Sequence, residues 1–318
     1  MMGIACSRAP SRWLWLAGVL WLQIPLAAIT TTGDPNSSMY LVQPGTGFDA
    51  VTKLIITRSD GTFGCSGSLI GNGSFVLTAA HCLTDSAGRM VTSNVQATFN
   101  LTGGDQFYSS ATFDVNPQWN GSLMHGGDLA IVQLANVVSG VQPYSIYRNN
   151  DGVGKTVTLV GYGESGSGST GGASGSFGTK RQGENEYDAT WDGTTPILNT
   201  VGQVLPLFVG SPFAFDFDSG SPSDNRLGDL GLGSLEVDIA LGDSGGPSFY
   251  NGQIIGVHDF LYSVTGIPPT GRFGELAGDT QIANYQAWVD AVTVPEPANF
   301  WLVGAGLLGL FVIRRRGS

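Results

Sequence analysis

Three short segments of this chain hold the residue types needed for nucleophilic catalysis. Residues 78–82 read TAAHC and contain His81, residues 128–130 read DLA and begin with Asp128, and residues 242–247 read GDSGGP and contain Ser244. A serine hydroxyl is a weak nucleophile and needs a base within hydrogen-bond reach, and imidazole titrates near neutrality. A carboxylate can then orient that imidazole. The segments therefore predict a base, an orienting carboxylate and a nucleophile, in that chain order.

The remaining histidines fit the role of base less well. The chain has three histidines in all. His125 lies in a glycine-rich loop just before Asp128 and is expected at the surface, whereas His258 lies on a predicted strand downstream of Ser244. Asp128 precedes an apolar run at residues 129–134, so its carboxylate is expected to be partly buried.

Together these motifs resemble the trypsin and chymotrypsin superfamily of serine proteases, in an exported bacterial form. The resemblance covers most of residues 50–292. It implies that Ser244 attacks a peptide carbonyl, that His81 moves the proton and that Asp128 fixes the imidazole, with no cofactor. It also implies an oxyanion hole formed by the N–H groups of Gly242 and Ser244, and a disulfide between Cys65 and Cys82.

The local sequence patterns favour many short antiparallel strands. Runs of β-branched and apolar residues, such as 53–57, 130–134 and 156–160, are bounded by Gly, Ser, Asn and Asp. This indicates an all-β sandwich or barrel. The resemblance specifies two packed six-stranded antiparallel β-barrels, at about residues 40–140 and 150–280, with the site in the cleft between them. Residues 280–292 predict a C-terminal helix, since their apolar side chains fall on one face. Residues 165–176 are nearly all Gly and Ser, which predicts a flexible loop.

Both ends of the chain carry targeting signals. Residues 1–28 combine arginines, an apolar run and a cleavage site ending at Ala28, as in a secretory signal peptide. Residues 29–39 are then an N-terminal or pro segment, and residues 40–293 form the protease-like domain.

The other targeting signal is at residues 294–318, which combine the sequence VPEP, an apolar stretch at 300–313 and three arginines. This order resembles the PEP-CTERM sorting signal of Gram-negative bacteria. It implies export, processing by an exosortase, and delivery to the cell surface or extracellular matrix after transient anchoring by a short transmembrane helix at 300–313. An ordinary tail anchor is the alternative.

The excess of acidic residues argues against some classes of binding partner. The chain has 25 Asp and Glu against 14 Lys and Arg, and five of the arginines lie in the terminal segments. This acidity argues against nucleic acid or anionic lipid as partners. We expect a monomer that acts on protein or peptide. Asp216, Asp218 and Asp224 match no calcium-loop spacing, so we expect a solvated acidic loop and no metal.

Two residues point to different substrate preferences. Asp238 lies six positions before Ser244. The resemblance places it at the base of the primary specificity pocket, where an aspartate selects Arg or Lys. His258 aligns with the position at which glutamyl endopeptidases bind an acidic side chain, and the two residues would neutralise each other if both faced the pocket. The next position, Asp259, replaces the family's usual serine. We favour cleavage after Arg or Lys.

The activation route and the activity itself leave alternatives open. In the family, the residue at Asp243 receives the N-terminal ammonium freed by processing. Counting back from Cys65 places that terminus near Met39, whereas cleavage after Ala28 would expose Ile29, about ten residues too early by the family's spacing. A non-catalytic surface or matrix-binding homologue, and an esterase with the same catalytic residues, are the alternatives to a protease.

Overall fold

In the computed structural model, the described part of the chain comprises residues 29–190 and 212–294, apart from residues 264 and 266. The predicted signal peptide and the predicted transmembrane helix at 300–313 lie outside the described residues. Among the helices of the described part, none has the length and apolar character needed to cross a membrane.

Short strands make up most of the regular structure. In chain order they are β1 (Thr30–Thr31), β2 (Val51–Arg58), β3 (Gly61–Ile70), β4 (Phe75–Thr78), β5 (Thr92–Leu101), β6 (Gly104–Val115), β7 (Ala130–Leu134), β8 (Thr156–Gly161), β9 (Ser165–Ser167), β10 (Gly171–Ala173), β11 (Arg181–Glu186), β12 (Ala189–Thr190), β13 (Phe213–Asp216), β14 (Val237–Asp238), β15 (Pro247–Tyr250), β16 (Gln253–Tyr262) and β17 (Leu276–Gln281). The two α-helices are α1 (Ala80–Leu83) and α2 (Gln286–Thr293), and three 3-10 turns span Leu123–His125, Gly233–Leu235 and Ile282–Tyr285.

The first half of the fold is a closed six-stranded barrel with strand order β2-β3-β4-β7-β6-β5. Alternate side chains of β2, such as Leu54 and Ile56, point inward and are fully buried, as the two-residue period of a strand requires. They pack with apolar side chains from every other strand of the barrel. Burial of this inner face stabilises the barrel, at about 25 cal/mol per Å² of apolar surface removed from water.

The second half is a half-barrel. Its main sheet has seven strands in the order β11-β8-β15-β16-β17-β13-β12, and a four-stranded sheet has the order β10-β9-β1-β14. The predicted all-β fold of two packed six-stranded antiparallel β-barrels with a C-terminal helix is therefore confirmed in its class, its closed first barrel and its short helix, while the second unit forms a half-barrel of seven-stranded and four-stranded sheets.

A shared apolar cluster joins the two halves and anchors the C-terminal helix. Leu77 and Ile131 of the barrel pack in one cluster with Val160 and Val257 of the half-barrel. Ile282, Tyr285 and Val289 are buried in the same cluster, and Trp288 and Val292 pack against it. These five residues form the apolar face of the helix predicted at 280–292. In the structure, this helical region begins with the 3-10 turn and continues as α2.

The Gly/Ser-rich segment at residues 165–176 is not the irregular loop that its composition predicts. It contains β9 and β10, which pair with each other, and β9 also pairs in parallel with β1. Ile29, just before β1, is fully buried in the core cluster of the half-barrel. The segment is therefore ordered by pairing with residues more than a hundred positions away.

Candidate functional site

Strand pairing brings His81 and Asp128 together. His81 lies in α1, which follows β4, and Asp128 lies just before β7. Strands β4 and β7 are neighbours, with Thr78 opposite Ala130. The end of β4 therefore lies beside the start of β7. Because His81 follows β4 and Asp128 precedes β7, both residues lie at the same edge of the barrel.

Asp128 holds His81 at two points. One carboxylate oxygen, Oδ1, accepts the backbone N–H of His81 at 2.7 Å, and Oδ2 lies 2.5 Å from the ring Nδ1. The Asp128 side chain is fully buried, whereas that of His81 is 27% exposed. A carboxylate at Nδ1 favours the tautomer that carries its proton there, which leaves Nε2 as the acceptor needed in a general base.

The turn that bears Ser244 lies against this part of the barrel. Ser66 of β3 donates its backbone N–H to the Ser244 carbonyl at 2.9 Å and its hydroxyl to the Gly242 carbonyl at 3.0 Å. The Ser244 carbonyl oxygen is 3.7 Å from Sγ of Cys82, the residue after His81. Ser244 and His81 are therefore neighbours in space, although 163 positions separate them in the chain.

The predicted disulfide joins Cys65 to Cys82 and is confirmed. Cys65 precedes Ser66, the residue that contacts the serine turn, and Cys82 follows His81. The cross-link thus ties the strand that supports the Ser244 turn to the helix that bears His81.

Glycines give the serine turn its shape. Gly242 and Gly245 both have positive φ values, of 91° and 80°, a conformation that glycine adopts at little cost. A side chain at Gly245 would also collide with the backbone of Ser66 and Ala79. Among the described residues, the N–H groups of Gly242 and Ser244 donate to no protein acceptor, as an oxyanion hole requires.

Asp243 binds the backbone of the half-barrel. It is fully buried, and its two oxygens accept the N–H groups of Gly163 and Ala240 at 3.2 and 3.1 Å. Burial raises the pKa of Asp243 to about 7, and the nearby His258 opposes that rise.

Asp238 is also fully buried, on β14. Its Oδ1 accepts the neighbouring N–H of Ile239 at 2.8 Å, and Oδ2 has no hydrogen-bond partner among the described residues. Burial, reinforced by the negative charges of Glu275, Glu236 and Asp216, raises the pKa of Asp238 well above its ordinary value.

His258 does not pair with Asp238. Its Nδ1 lies 2.9 Å from Oδ1 of Asp279, while its Nε2 has no partner within the described part of the chain. The other oxygen of Asp279 accepts the hydroxyls of Tyr187 and Ser248, each at 2.5 Å. The mutual neutralisation considered from the sequence therefore does not occur, and each side chain keeps one unpaired polar atom.

Sequence reasoning missed this support of His258. The three partners of Asp279, which are His258, Tyr187 and Ser248, lie on or beside different strands. Only the sheet register brings them together, with His258 directly opposite Asp279. The adjacent residue, Asp259, is buried at an irregularity in the pairing of β16 with β17, where a carboxylate oxygen lies within 4.8 Å of ligand atoms of both Asp128 and His81. The sequence showed an unusual residue there but not its contact.

A second group of carboxylates differs from the solvated loop expected from the sequence. Asp216 and Asp218 are only 2% and 4% exposed. Burial raises the pKa of Asp216 to about 6 and that of Asp218 to about 8. The expectation was wrong because the chain folds these aspartates under residues 226–236, whose backbone N–H groups bind Asp216 and the neighbouring Glu236.

Two parts of the sequence match known protein families. The Trypsin family matches residues 43–223, a span that includes His81 and Asp128, and the PEP-CTERM protein-sorting motif matches residues 293–316. Trypsin from Sus scrofa is 25% identical over 240 residues, which cover 74% of this chain and 87% of that protein. Cationic trypsin-3 from Rattus norvegicus is 26% identical over 231 residues, covering 71% and 78%.

Solved structures show the same fold. HL collagenase superposes with a TM-score of 0.57 at 20% identity, covering 81% of this chain and 98% of the collagenase chain. Neuropsin, a serine protease of mouse brain, superposes with a TM-score of 0.54 at 19% identity, covering 80% and 97%. Because the Trypsin match takes in more than half of the sequence, the chain belongs to the trypsin family, whose members are serine endopeptidases.

Proposed function

We propose that this protein hydrolyses peptide bonds through Ser244, His81 and Asp128. The observation that carries the proposal is the double hold of buried Asp128 on His81, beside the turn that bears Ser244. A base fixed in this way, next to a serine in a glycine-shaped turn, is suited to acyl transfer.

Each group has one role in the reaction. The Ser244 hydroxyl attacks the substrate carbonyl while His81 takes its proton at Nε2, and Asp128 stabilises the imidazolium that forms. The N–H groups of Gly242 and Ser244 bind the oxyanion, and each such donor contributes about 3 kcal/mol to transition-state stabilisation. His81 then gives its proton to the leaving amine, and water releases the acyl-enzyme.

Labelling with a fluorophosphonate tests the nucleophile. The full chain is expressed with its own export signal, and the recovered protein is treated beside a Ser244→Ala control. Labelling of the native protein alone supports the proposal. Folded native protein that resists labelling, and still resists once its first residue is Ile29, would instead be a binding protein. A parallel panel of peptide and ester substrates separates a protease from an esterase.

For the substrate we propose a preference for Arg or Lys before the scissile bond. A buried carboxylate without a donor at Oδ2, surrounded by other carboxylates, is costly to ionise unless a cation pairs with it. A substrate guanidinium or ammonium at Asp238 supplies that cation. Asp238→Asn should lower kcat/KM for Arg substrates by about a hundredfold or more, since an unpaired buried charge costs about 2–5 kcal/mol.

A preference for Glu or Asp is the second candidate, favoured by the unpaired Nε2 of His258. Asp279 binds the other ring nitrogen of His258, Nδ1, and so orients the imidazole. A peptide library that varies only the residue before the scissile bond decides between the two. Cleavage after Glu that His258→Gln abolishes and Asp238→Asn leaves intact would replace the Arg/Lys proposal.

The PEP-CTERM motif marks an exported protein with a C-terminal sorting signal. We propose that an exosortase-type enzyme cuts near residues 294–297 and that the catalytic domain reaches the cell surface or matrix. The mass of the protein recovered from the cell surface tests this, because cleavage there removes the arginines at 314–316.

A further inference from the structure

Asp259 brings a second carboxyl group to the carboxylate that orients His81. It lies on β16 and is 4% exposed, and Asp128 is fully buried. A carboxyl oxygen of each side chain and a ring nitrogen of His81 lie within 4.8 Å of one another. A hydrogen bond between two carboxyl groups needs a proton on one of them.

The surroundings place that proton on Asp259. Oδ2 of Asp259 already accepts the hydroxyl of Thr280 at 2.9 Å, whereas Oδ1 has no donor within the described residues. Asp128, in contrast, accepts the backbone N–H of His81 and faces its ring. Two donors stabilise the ionised form of Asp128 and one stabilises that of Asp259, so Asp128 is the better place for the negative charge.

Two neighbouring carboxylates, Asp128 and Asp279, favour the neutral form of Asp259. The titratable groups that face it are Asp128 from the loop before β7, His81 from α1, Asp279 from β17 and Tyr285 from the following 3-10 turn. Among these, none is a permanent cation. Burial, then the charge of Asp128, raises the pKa of Asp259 well above its ordinary value.

We propose that Asp259 is a positioning residue that stays protonated and donates a hydrogen bond from its carboxyl group to Asp128. The pair then carries one negative charge, and Asp128 is held in the orientation that binds His81. A side chain that is always neutral, such as a serine, would donate this hydrogen bond at every pH. An aspartic acid donates it only while protonated, so the orientation of Asp128 and His81 becomes dependent on pH.

This inference rests on the proposed function, so its first test does not need activity. In the Ser244→Ala protein, the imidazole of His81 is titrated by NMR with and without Asp259→Asn. The asparagine amide can donate to Asp128 and accept from Thr280, and it is uncharged like the acid. The His81 midpoints should therefore agree within about 0.3 pH unit.

An ionised Asp259 gives a different result. Asp259→Asn would then remove a negative charge within 4.8 Å of the His81 ligand atom. The His81 midpoint would fall by at least about one pH unit, because that charge favours the imidazolium. Such a fall overturns the proposal, whether or not Ser244 reacts with a fluorophosphonate. An unreactive Ser244 defeats only the proposed function.

The active enzyme provides a second measurement. Deprotonation of Asp259 should cause a loss of kcat/KM on the alkaline side that is absent from Asp259→Asn. Asp259→Ala should lower kcat/KM about tenfold or more at neutral pH, and Asp259→Ser, which restores a donor, should recover much of that loss. An alkaline loss that persists unchanged in Asp259→Asn overturns the proposal.

Thr280→Val keeps both carboxyl groups and so tests the proposal even if substitution of Asp259 prevents folding. The Thr280 hydroxyl stabilises ionised Asp259, and its removal should shift the alkaline loss to higher pH. A shift to lower pH, or none, overturns the proposal.

Discussion

Thr30 pairs in antiparallel register with Asp238, and this pair joins the start of the described chain to the strand that leads into the serine turn. Ile29, one residue earlier, is fully buried, whereas Met39 is 47% exposed. Of the two N-termini considered from the sequence, the packing favours Ile29. By the family's spacing, Ile29 stands about ten residues too early. Residues 32–50, which connect β1 of the half-barrel to β2 of the barrel, accommodate this extra length.

We therefore predict that cleavage after Ala28 yields the active enzyme directly. One or two residues added before Ile29 should lower kcat/KM about a hundredfold or more. We propose that the ammonium freed at Ile29 pairs with buried Asp243, as in the family, and the added residues would prevent this; an unpaired buried charge costs about 2–5 kcal/mol. N-terminal sequencing of the exported protein, with steady-state kinetics of both forms, provides the measurement. The matched control adds the same residues at the C-terminus, and full activity of the N-terminally extended form would contradict the prediction.

Asp128→Asn should lower kcat/KM by about 10⁴-fold with little change in fold. The amide can keep the bond from the His81 N–H, but an NH₂ group facing Nδ1 favours the wrong imidazole tautomer. Kinetics together with thermal unfolding provide the measurement. Asp114→Asn, on the exposed side of β6 in the same barrel, is the control and should be silent. Equal losses in both variants would show a general effect of charge.

The parts of the site that lie in contiguous motifs were predictable from the sequence. His81, Asp128 and Ser244 stand in short segments whose spacing fixes their place at strand ends, and the strands at 53–57, 130–134 and 156–160 follow from apolar periodicity. The contacts of Asp259 with Asp128, and of His258 with Asp279, were not predictable. They join side chains from separate strands, and a shift of one residue in register would point them to the opposite face.

The order of the Gly/Ser-rich segment was unpredictable for a related reason. Its composition lacks the side chains that normally mark a strand. The hydrogen bonds that order it come from β1 and from Thr270, at the opposite end of the half-barrel sequence. Local sequence cannot reveal a strand whose stability comes from distant backbone partners.

Replacing both Cys65 and Cys82 with alanine should lower the free energy of unfolding by about 3 kcal/mol, since the cross-link closes a loop with a sequence separation of 17. Denaturant unfolding measures the change. Treatment of the native protein with reductant should reproduce it, and the same reductant should not affect the double variant. A stability that reduction leaves unchanged would contradict the prediction.

The stability of the protein should also depend on pH through the buried and half-buried carboxylates near residues 226–236. In the folded state the pKa of Asp188 is raised to about 8, of Asp216 to about 6, of Asp218 to about 8 and of Glu236 to about 7, in each case chiefly by burial. The ordinary values are 3.8 for Asp and 4.5 for Glu. Between about pH 4 and pH 8 the folded protein thus binds more protons than the unfolded chain.

Stability should therefore fall as the pH rises through this window, because linkage lowers the free energy of unfolding wherever the folded state holds the extra protons. Asp218→Asn removes one buried ionisable group whose Oδ1 has no partner among the described residues. This substitution should reduce the loss of unfolding free energy between pH 5 and pH 8 by on the order of 1–3 kcal/mol. Denaturant titrations at both pH values test this, and Asp114→Asn should follow the native protein. Parallel curves for Asp218→Asn and the native protein would mean that Asp218 is already ionised in the folded state at pH 5.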